Sequence, residues 1–580
     1  MAGFFLTTRR SETSAINLIN LTYEDFSTLT APEENSLYLF EHGTAQCVSF
    51  NGITLYNIGT LIYDDCWHNA ALEIIAKDIY SGKLVKDMLH NTRGQFCLII
   101  HNNGDVYVIT DKLGTFPIYK FESDDRVEIS NFFLPLAEGN HVTMNNQAFA
   151  EYLSYDYCFD CTFFNEIKLL QKGSFYRFGA EQYCQVYFNY LSNIHFNTYR
   201  DLETISHAAK RTMLQNFAFL SNADRIFTDI TGGFDTRMIA ILLKNLNLNF
   251  SCGICGDQVL NETEIAAKVA EKLLVKFYSK IKIDDRNKFL KMLERHFNIS
   301  NGVPILYHST ELIHYYEVIN QYFDIHVAGY AGSQLCDNFL PPLSILSNKI
   351  NHSSLSKKYY MFIDIFNNSF ITENEYYNRT EKKIAHVLSQ IGSNKHSDVA
   401  SYFTMTTFSR YYHGALMAAH NIILPIYVPY LEANFAKLLL ETSFEIKHNR
   451  NIQKMIITSL HNELSLLMTT HGYNAHIGKN INSSAKNWLF SIARALIYDF
   501  SFLQNSYQFL KKYKKSEVKP SDIQRAFWIK EIDKKWSKNM PIFEYIDHKN
   551  LQKRLLYDPH PAKLKAKIMY LDRILTTCVE

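Results

Sequence analysis

Residues 229–238 read DITGGFDTRM, with two adjacent glycines between the hydroxyls of Thr231 and Thr236 and an acid, Asp235, just before the second hydroxyl. A strand-like run, 226–230, leads in, and a helical pattern of Met238, Ile239, Leu242 and Leu243 leads out. A strand that empties through paired glycines into a helix lines up successive backbone N–H groups at the helix N-terminus. Glycine permits the tight turn and lets an anion approach the backbone. The free amides and the helix dipole then favour phosphate or pyrophosphate. Thr231 and Thr236 add hydroxyl donors. Asp235 would repel a bare phosphate, so its presence implies a bridging Mg²⁺. A Walker-type loop needs a lysine after its second glycine, and this one has none. Spacing alone leaves an ordinary β–α turn, its glycines used for packing, equally open.

The surrounding elements must hold that loop in place. Residues 1 to about 190 read mostly as strands, among them QCVSFNGITLYNIG and GQFCLIIHNNGDVYVITD. The tetrapeptide NNGD at 102–105 predicts a hairpin between 96–101 and 106–110. One helix, NAALEIIAKDIYSG, interrupts them and ends at Gly82. From about residue 200 the texture changes to helix, strand, glycine loop, helix, strand (NFSCGIC), helix (NETEIAAKVAEKLL) and strand (FYSKIKI). That alternation predicts a parallel sheet with crossover helices. Residues 355–580 read as mainly helical and without a repeat, and the boundary between the two halves falls near 190–202.

A chain of 580 residues favours two domains over one core. Its formal charge of +1 gives no electrostatic footprint for nucleic acid, so no nucleic-acid partner is expected. No apolar run is long enough for a membrane span, and the opening MAGFFLTTRRSETSA is too short an apolar stretch for a secretory signal; a cytoplasmic protein is the expectation. Two CxxC pairs, Cys158/Cys161 and Cys252/Cys255, lie too far apart in sequence to suggest one zinc site, and the second sits at the end of a strand pattern where a redox pair would need a helix N-terminus. Both pairs read as buried structural cysteines.

The segment TGGFDT resembles the SGGxDS pyrophosphate loop of the N-type ATP pyrophosphatases, specifically that of the asparagine synthetase family. The likeness extends over nearly the whole chain. RGQFCLIIHNNGDVYVITDKLGTFPIYKF (93–121) resembles the hairpin and D-x-x-G-x-x-P-L-Y segment of the family's amidotransferase-like first domain, and NEIKLLQKGSFYRF its closing pattern. NETEIAAKVAEKL resembles the acidic helix after the second sheet strand, and VPYLEANFAKLLL (428–440) the PfLD segment, with Glu432 for the Asp. The resemblance implies a degenerate glutamine amidotransferase-like domain of Ntn-hydrolase β-sandwich type at 1–195. After it would come a parallel-sheet α/β ATP-pyrophosphatase domain at 196–580 with a largely helical C-terminal part. It implies ATP and Mg²⁺, with attack of a carboxylate on the α-phosphate, release of pyrophosphate, and capture of the acyl-adenylate by an amine. Carried over by motif, Thr231, Gly232, Gly233, Asp235 and Thr236 grip pyrophosphate, with Asp235 the magnesium ligand. Ile230 and Ile254 offer backbone groups to adenine, and Gly329 completes the nucleotide-binding set.

The pattern breaks in informative places. Glutamine-hydrolysing members place a cysteine nucleophile after the initiator Met; here Ala2 stands there, Cys47 lies far downstream, and IGTLIY occupies the place of the Asn-Gly-Glu glutamine-binding segment. No glutaminase activity is expected. In VAGYAGSQLCDN (327–338), Ser333 and Gln334 stand where the family has acids, leaving Asp337 or substrate oxygens to compensate. Tyr330 replaces the first Glu, as in β-lactam synthetases, where a tyrosine helps deprotonate an amine with a Glu partner. The partner position falls near FSRYYHG (408–414), which offers Arg410. His471 and Lys479 lie near the family's late lysine without aligning cleanly. Two readings follow. One is an AMP-forming amide ligase joining a small-molecule or peptide carboxylate to an amine without glutamine, in the manner of β-lactam synthetases and lasso-peptide cyclases. The other is a non-catalytic nucleotide-binding scaffold. A homodimer is a candidate assembly for either.

Overall fold

A computed structural model describes residues 3–8, 27–30, 36–40, 44–124, 126–178, 182–189, 194–255, 260–281, 283, 285–300, 306–336, 363–391, 393, 396–470, 472–476, 534–537, 539–557 and 561–578. Ala2, Asp337, His471 and Lys479 lie outside the described residues.

The first part of the chain forms two antiparallel sheets. One contains β1 (Gly3–Thr7), β2 (Ser27–Thr30), β3 (Ser36–Phe40), β9 (Tyr119–Glu122), β10 (Val127–Ser130) and β11 (Ile167–Leu169), in the order β11-β9-β10-β1-β3-β2. The other contains β4 (Gln46–Phe50), β5 (Ile53–Tyr63), β7 (Arg93–Asn102), β8 (Asp105–Thr110), β12 (Ser174–Phe178) and β13 (Tyr183–Val186), ordered β13-β12-β8-β7-β5-β4, with β6 (Cys66–Trp67) on β5. The expected hairpin joins β7 to β8: Asn102 pairs with Asp105, and Asn103 (φ 49°) and Gly104 (φ 87°) supply the two left-handed residues that a type I′ turn requires.

These sheets face each other. Phe4, Leu6, Leu37 and Leu39 of one interleave with Tyr56, Ile58, Cys97, Ile99 and Val108 of the other. The outer face of the second sheet is covered by the helices His68–Tyr80 and Val85–Asn91. The outer face of the first meets an aromatic layer (Phe133, Phe149, Tyr152, Phe163) that continues into Tyr570 of the C-terminal helix Pro561–Cys578. With both faces covered, the central strands lose the polar–apolar alternation of a one-sided sheet, and β1 is buried along its whole length.

The second part is built on a five-stranded parallel sheet of β14 (Ile226–Asp229), β15 (Phe250–Cys255), β16 (Lys276–Ile281), β17 (Ile325–Val327) and β18 (Ile426–Tyr427), ordered β16-β15-β14-β17-β18. Sequence reading finds β14, β15 and β16 but not β17 and β18, which are too short to leave a pattern. The helix Asp235–Asn245 crosses from β14 to β15 and Leu260–Leu273 from β15 to β16; Leu306–Asn320 precedes β17. The chain therefore builds outward from β14 in one direction, then returns to lay β17 on its other side. In open α/β sheets that reversal leaves a crevice at the carboxyl ends of the two central strands, where ligands bind. No helix among the described residues is long and apolar enough to cross a membrane.

Glu432, in the VPYLEANF segment, joins the two parts. Its Oε1 accepts from Gly94 N–H at 3.0 Å, and nearby Val428 N–H donates to Gln95 Oε1 at 2.9 Å. Burial raises the Glu432 pKa, against the pull of Arg93 and Lys112 beside it. Removing one partner from such a site strands the others. Glu432→Ala is expected to lose about 2–4 kcal/mol in a urea unfolding titration, and Glu432→Gln, which keeps the acceptor, less than half of that. Equal losses for the two variants would show that the seam does not depend on this acceptor.

Candidate nucleotide site at the strand crossover

The glycine loop lies at the predicted place, between the end of β14 and the helix Asp235–Asn245. Ile230 N–H continues the sheet by donating to Gly253 O at 2.8 Å, so Ile230 and Ile254 end neighbouring strands as expected. Beyond Ile230 the amides leave the sheet and turn to side-chain oxygens. Thr231 N–H donates to Thr236 Oγ1 at 3.0 Å, Gly232 N–H to Glu262 Oε1 at 3.3 Å, and Gly233 N–H to Thr231 Oγ1 at 3.3 Å. Three consecutive donors thus face oxygen acceptors, two of them at the long end of hydrogen-bond range. This is the donor array an oxyanion would use, and a carboxylate from the helix Leu260–Leu273 already rests against its middle.

Gly232 is required by what packs on the loop, whereas a Cβ on Gly233 would meet only Thr231 Oγ1, at 3.4 Å. A Cβ on Gly232 would lie 2.3 Å from Thr470 Cγ2, and Thr470 N–H donates to Gly232 O at 3.3 Å. A Cβ on Gly329 would meet Thr236 Cγ2 at 2.8 Å, and one on Gly332 would meet Asp235 Cγ at 2.8 Å. Residues 329–336 therefore press directly onto the start of the loop helix, with Ser333 hydrogen-bonded to Asp235.

Asp235 is held by its neighbours. Gln453 Nε2 donates to its Oδ1, Tyr430 O–H donates to its backbone carbonyl at 3.0 Å, and Arg450 is the nearest cation. Burial raises the carboxyl pKa, only partly offset by Arg450, Gln453 and Ser333. No group of three or more His, Cys, Asp or Glu that could enclose a metal occurs among the described residues. One carboxylate beside an oxyanion loop nevertheless suits Mg²⁺, which commonly binds through one or two carboxylates, substrate phosphates and water.

Tyr330 follows β17, next to Gly329, which packs against Thr236 of the loop. Its hydroxyl lies 3.3 Å from His420 Nδ1 and 3.5 Å from Tyr316 Oη, and its ring packs between His413 and His420 with centroids 5.5 and 6.2 Å away. The network ends at Asp229, the last residue of β14. Tyr315 and Tyr316 donate to its two oxygens at 3.2 and 3.5 Å, and His326 Nε2 lies 2.9 Å away. Burial pushes His413 down to about 3 and His420 well below the ordinary histidine range, so both are neutral at pH 7. Burial also raises the Tyr330 pKa.

The structure does not bring Arg410 to Tyr330. Its guanidinium donates to Leu170 O at 2.9 Å and Tyr411 Oη at 3.1 Å, facing the first part of the chain. The reason lies in the helix. Residues Thr404–His413 wind as a π-helix, whose extra residue per hydrogen-bonded ring rotates the side chains relative to α spacing. His413 and His420 face Tyr330 instead. Their spacing of two α-turns in HGALMAAH was a legible sign of one shared face. Sequence reading also missed Glu262, Gln453, Arg450 and Thr470, which reach the loop from distant segments, and Asp229, which immediately precedes it.

No protein-family model and no curated protein matches the sequence. Among solved structures, glutamine phosphoribosylpyrophosphate amidotransferase from B. subtilis, complexed with ADP and GMP, is similar at a TM-score of 0.22 and 10% identity, over 49% of this chain and 67% of that one. A structure described as the allosteric regulatory enzyme of purine biosynthesis is similar at 0.21 and 11%, over 44% and 66%. Overlaps this loose leave the functional reading to the chain's own residues.

Because the folded-state pKa of Asp235 is raised, its neutral form favours folding at low pH, and that contribution is lost as pH rises through the folded value. Asp235→Asn is therefore expected to unfold at higher temperature than the parent at pH 8, by on the order of 1 kcal/mol, with the gap closing at acid pH. A less stable variant at pH 8 would mean that Arg450 more than repays the buried charge.

Proposed function

We propose that the chain is an ATP-dependent, AMP-forming carbon–nitrogen ligase of the asparagine synthetase type, joining a carboxylate to an amine without hydrolysing glutamine. The observation behind it is the run of amides at Thr231, Gly232 and Gly233, opening a helix at the carboxyl end of the first-laid strand of a parallel sheet. ADP and GMP in the B. subtilis amidotransferase are that protein's ligands; the assignment of ATP here rests on the loop.

In this reading Gly232 and Gly233 N–H groups and the Thr231 and Thr236 hydroxyls receive the β,γ end of ATP as Glu262 withdraws. Asp235 turns from Gln453 to hold Mg²⁺, which when bound neutralises charge on the phosphates. Aligning carboxylate and α-phosphate in one crevice converts an encounter of two anions into an oriented reaction within a complex. Tyr330 then faces the amine. Its phenol is neutral, so it works as a relay: the oxygen takes a proton from the amine while its own proton passes to His420 Nδ1. The positive charge forming on His420 sits beside Tyr316, which is bonded to Asp229. Arg410 has no place in this step.

In the first part, of the Ntn-hydrolase type in this reading, the start of β1 is closed. Gly3 N–H donates to Tyr56 Oη at 3.2 Å, and a Cβ on Gly3 would lie 2.0 Å from the Phe132 ring. That crowding supports a domain kept for structure, beside the absence of a cysteine at Ala2. A specific observation favours the scaffold reading as well: Glu262 occupies Gly232 N–H and Gln453 occupies Asp235, while Ser333 and Gln334 replace acids.

The test is pyrophosphate release from ATP and Mg²⁺ across a panel of small and peptidic acids with amines. A ligase is expected to release pyrophosphate with at least one pair and to yield no glutamate from glutamine. Tyr330→Phe and His420→Gln are each expected to lower ligation by about 10²–10⁴-fold with ATP affinity by calorimetry unchanged. ATP binding with no turnover across the panel would leave the scaffold, and no binding at all would sink both readings.

A further inference from the structure

The CFDC pair, which reads as two alike buried cysteines, is divided by the structure into two different thiols. Both are free. Cys158 is buried and donates to Ala148 O at 3.6 Å; Cys161 is half-buried. Burial pushes the Cys158 thiol well above its ordinary range, and the neighbouring Cys161 adds to the rise. Cys161 Sγ sits between opposite charges, with Lys383 Nζ at 3.2 Å and Glu151 Oε2 at 3.3 Å. Lys383 reaches in from the helix Glu373–Ser389, and Glu151 from Asn146–Tyr155. Glu151 is fully buried and accepts from Lys383 at 2.8 Å. Burial works against the Lys383 ammonium, but Glu151 and Cys161 outweigh it and hold the lysine pKa above its usual range. The cation beside the sulfur is therefore permanent at physiological pH.

The same two cysteines line a small cavity of about 40 Å³, shared with Thr162, Arg410 and Tyr411. A half-buried thiol with a fixed cation at one side, a proton acceptor at the other and a second thiol in contact has the parts of a peroxide-reactive dithiol.

We propose that Cys161 and Cys158 form a peroxide-oxidised dithiol site, with Cys161 the attacking thiol and Cys158 the resolving one. The Cys161 proton passes to Glu151 Oε2, and the thiolate, steadied by Lys383, attacks one oxygen of hydrogen peroxide. The O–O bond breaks, and the departing oxygen recovers the proton from Glu151 and the proton of the peroxide stays on it, leaving as water. Cys161 is then a sulfenic acid. Cys158 sulfur displaces its hydroxyl, the Cys158 proton leaves with that hydroxyl as a second water, and a disulfide closes. Two thiols are oxidised by one peroxide reduced to two waters. Nothing in this scheme depends on nucleotide binding, so it stands or falls apart from the ligase reading.

The full chain supplies its own controls, because Cys184 is exposed and Cys47, Cys66 and Cys255 are as accessible in class as Cys161. The experiment is a short hydrogen peroxide treatment followed by alkylation, intact mass and peptide mapping. Expected are a loss of about 2 Da and a Cys158–Cys161 cross-link, formed before Cys184 is oxidised. With Cys158→Ser, dimedone is expected to trap a sulfenic acid on Cys161; with Cys161→Ser, no cross-link forms and Cys158 stays alkylatable. Lys383→Met is expected to slow Cys161 oxidation about tenfold or more, and Lys383→Arg to retain most of the rate. Should Cys184 oxidise first, or Cys158 and Cys161 both remain alkylatable after treatment, the proposal is overturned. The two cysteine variants decide the matter even where a lysine variant fails to fold.

Discussion

Everything at the candidate site follows from the parallel pairing of β14 with a partner on each side. Parallel strands point their carboxyl ends the same way, and helices must then carry the chain back over the faces. Because β15 and β17 leave β14 on opposite sides, their following segments diverge, and the space between them cannot be filled by either crossover. The loop after β14 and the Gly329–Tyr330 turn after β17 are the two walls at this end of the sheet, and they meet in direct contact. Asp229 anchors the polar network from the strand end itself, and the direction of the sheet fixes where all of it sits.

The fit of the walls is enforced by short contacts. Gly329 and Gly332 let one wall touch Thr236 and Asp235 on the other, and any side chain at those positions would displace the start of the loop helix. Asp235 is consequently crowded by its neighbours, and burial among them raises its pKa. In the ligase reading, stability and chemistry pull against each other at this residue.

Local features were legible in the sequence and distant ones were not. The glycine loop, the NNGD hairpin, the crossover helices and the capped helix after Asp201 (whose side chain accepts from Thr204 N–H) all announce themselves within a few residues. Short strands such as β17 and β18, of three and two residues, leave no period to detect. Arg410 was offered by resemblance to the family's partner position, and the π-helix that carries it faces it toward Leu170 instead; nothing in TMTTFSRYYH marks the extra width. Glu262, Gln453 and Lys383 reach their partners across long stretches of chain, so their roles exist only after folding. For the same reason CFDC looked inert until a lysine from another helix stood beside it.

The Glu262 contact has a thermodynamic consequence for selectivity. A carboxylate tethered on its own helix competes for Gly232 as an intramolecular rival, at an effective local concentration far above that of any free metabolite. Monovalent acids of similar strength lose that contest by mass action. In the ligase reading an incoming anion must displace that carboxylate, and one that engages several amides and hydroxyls at once is better placed to do so than one that engages a single amide.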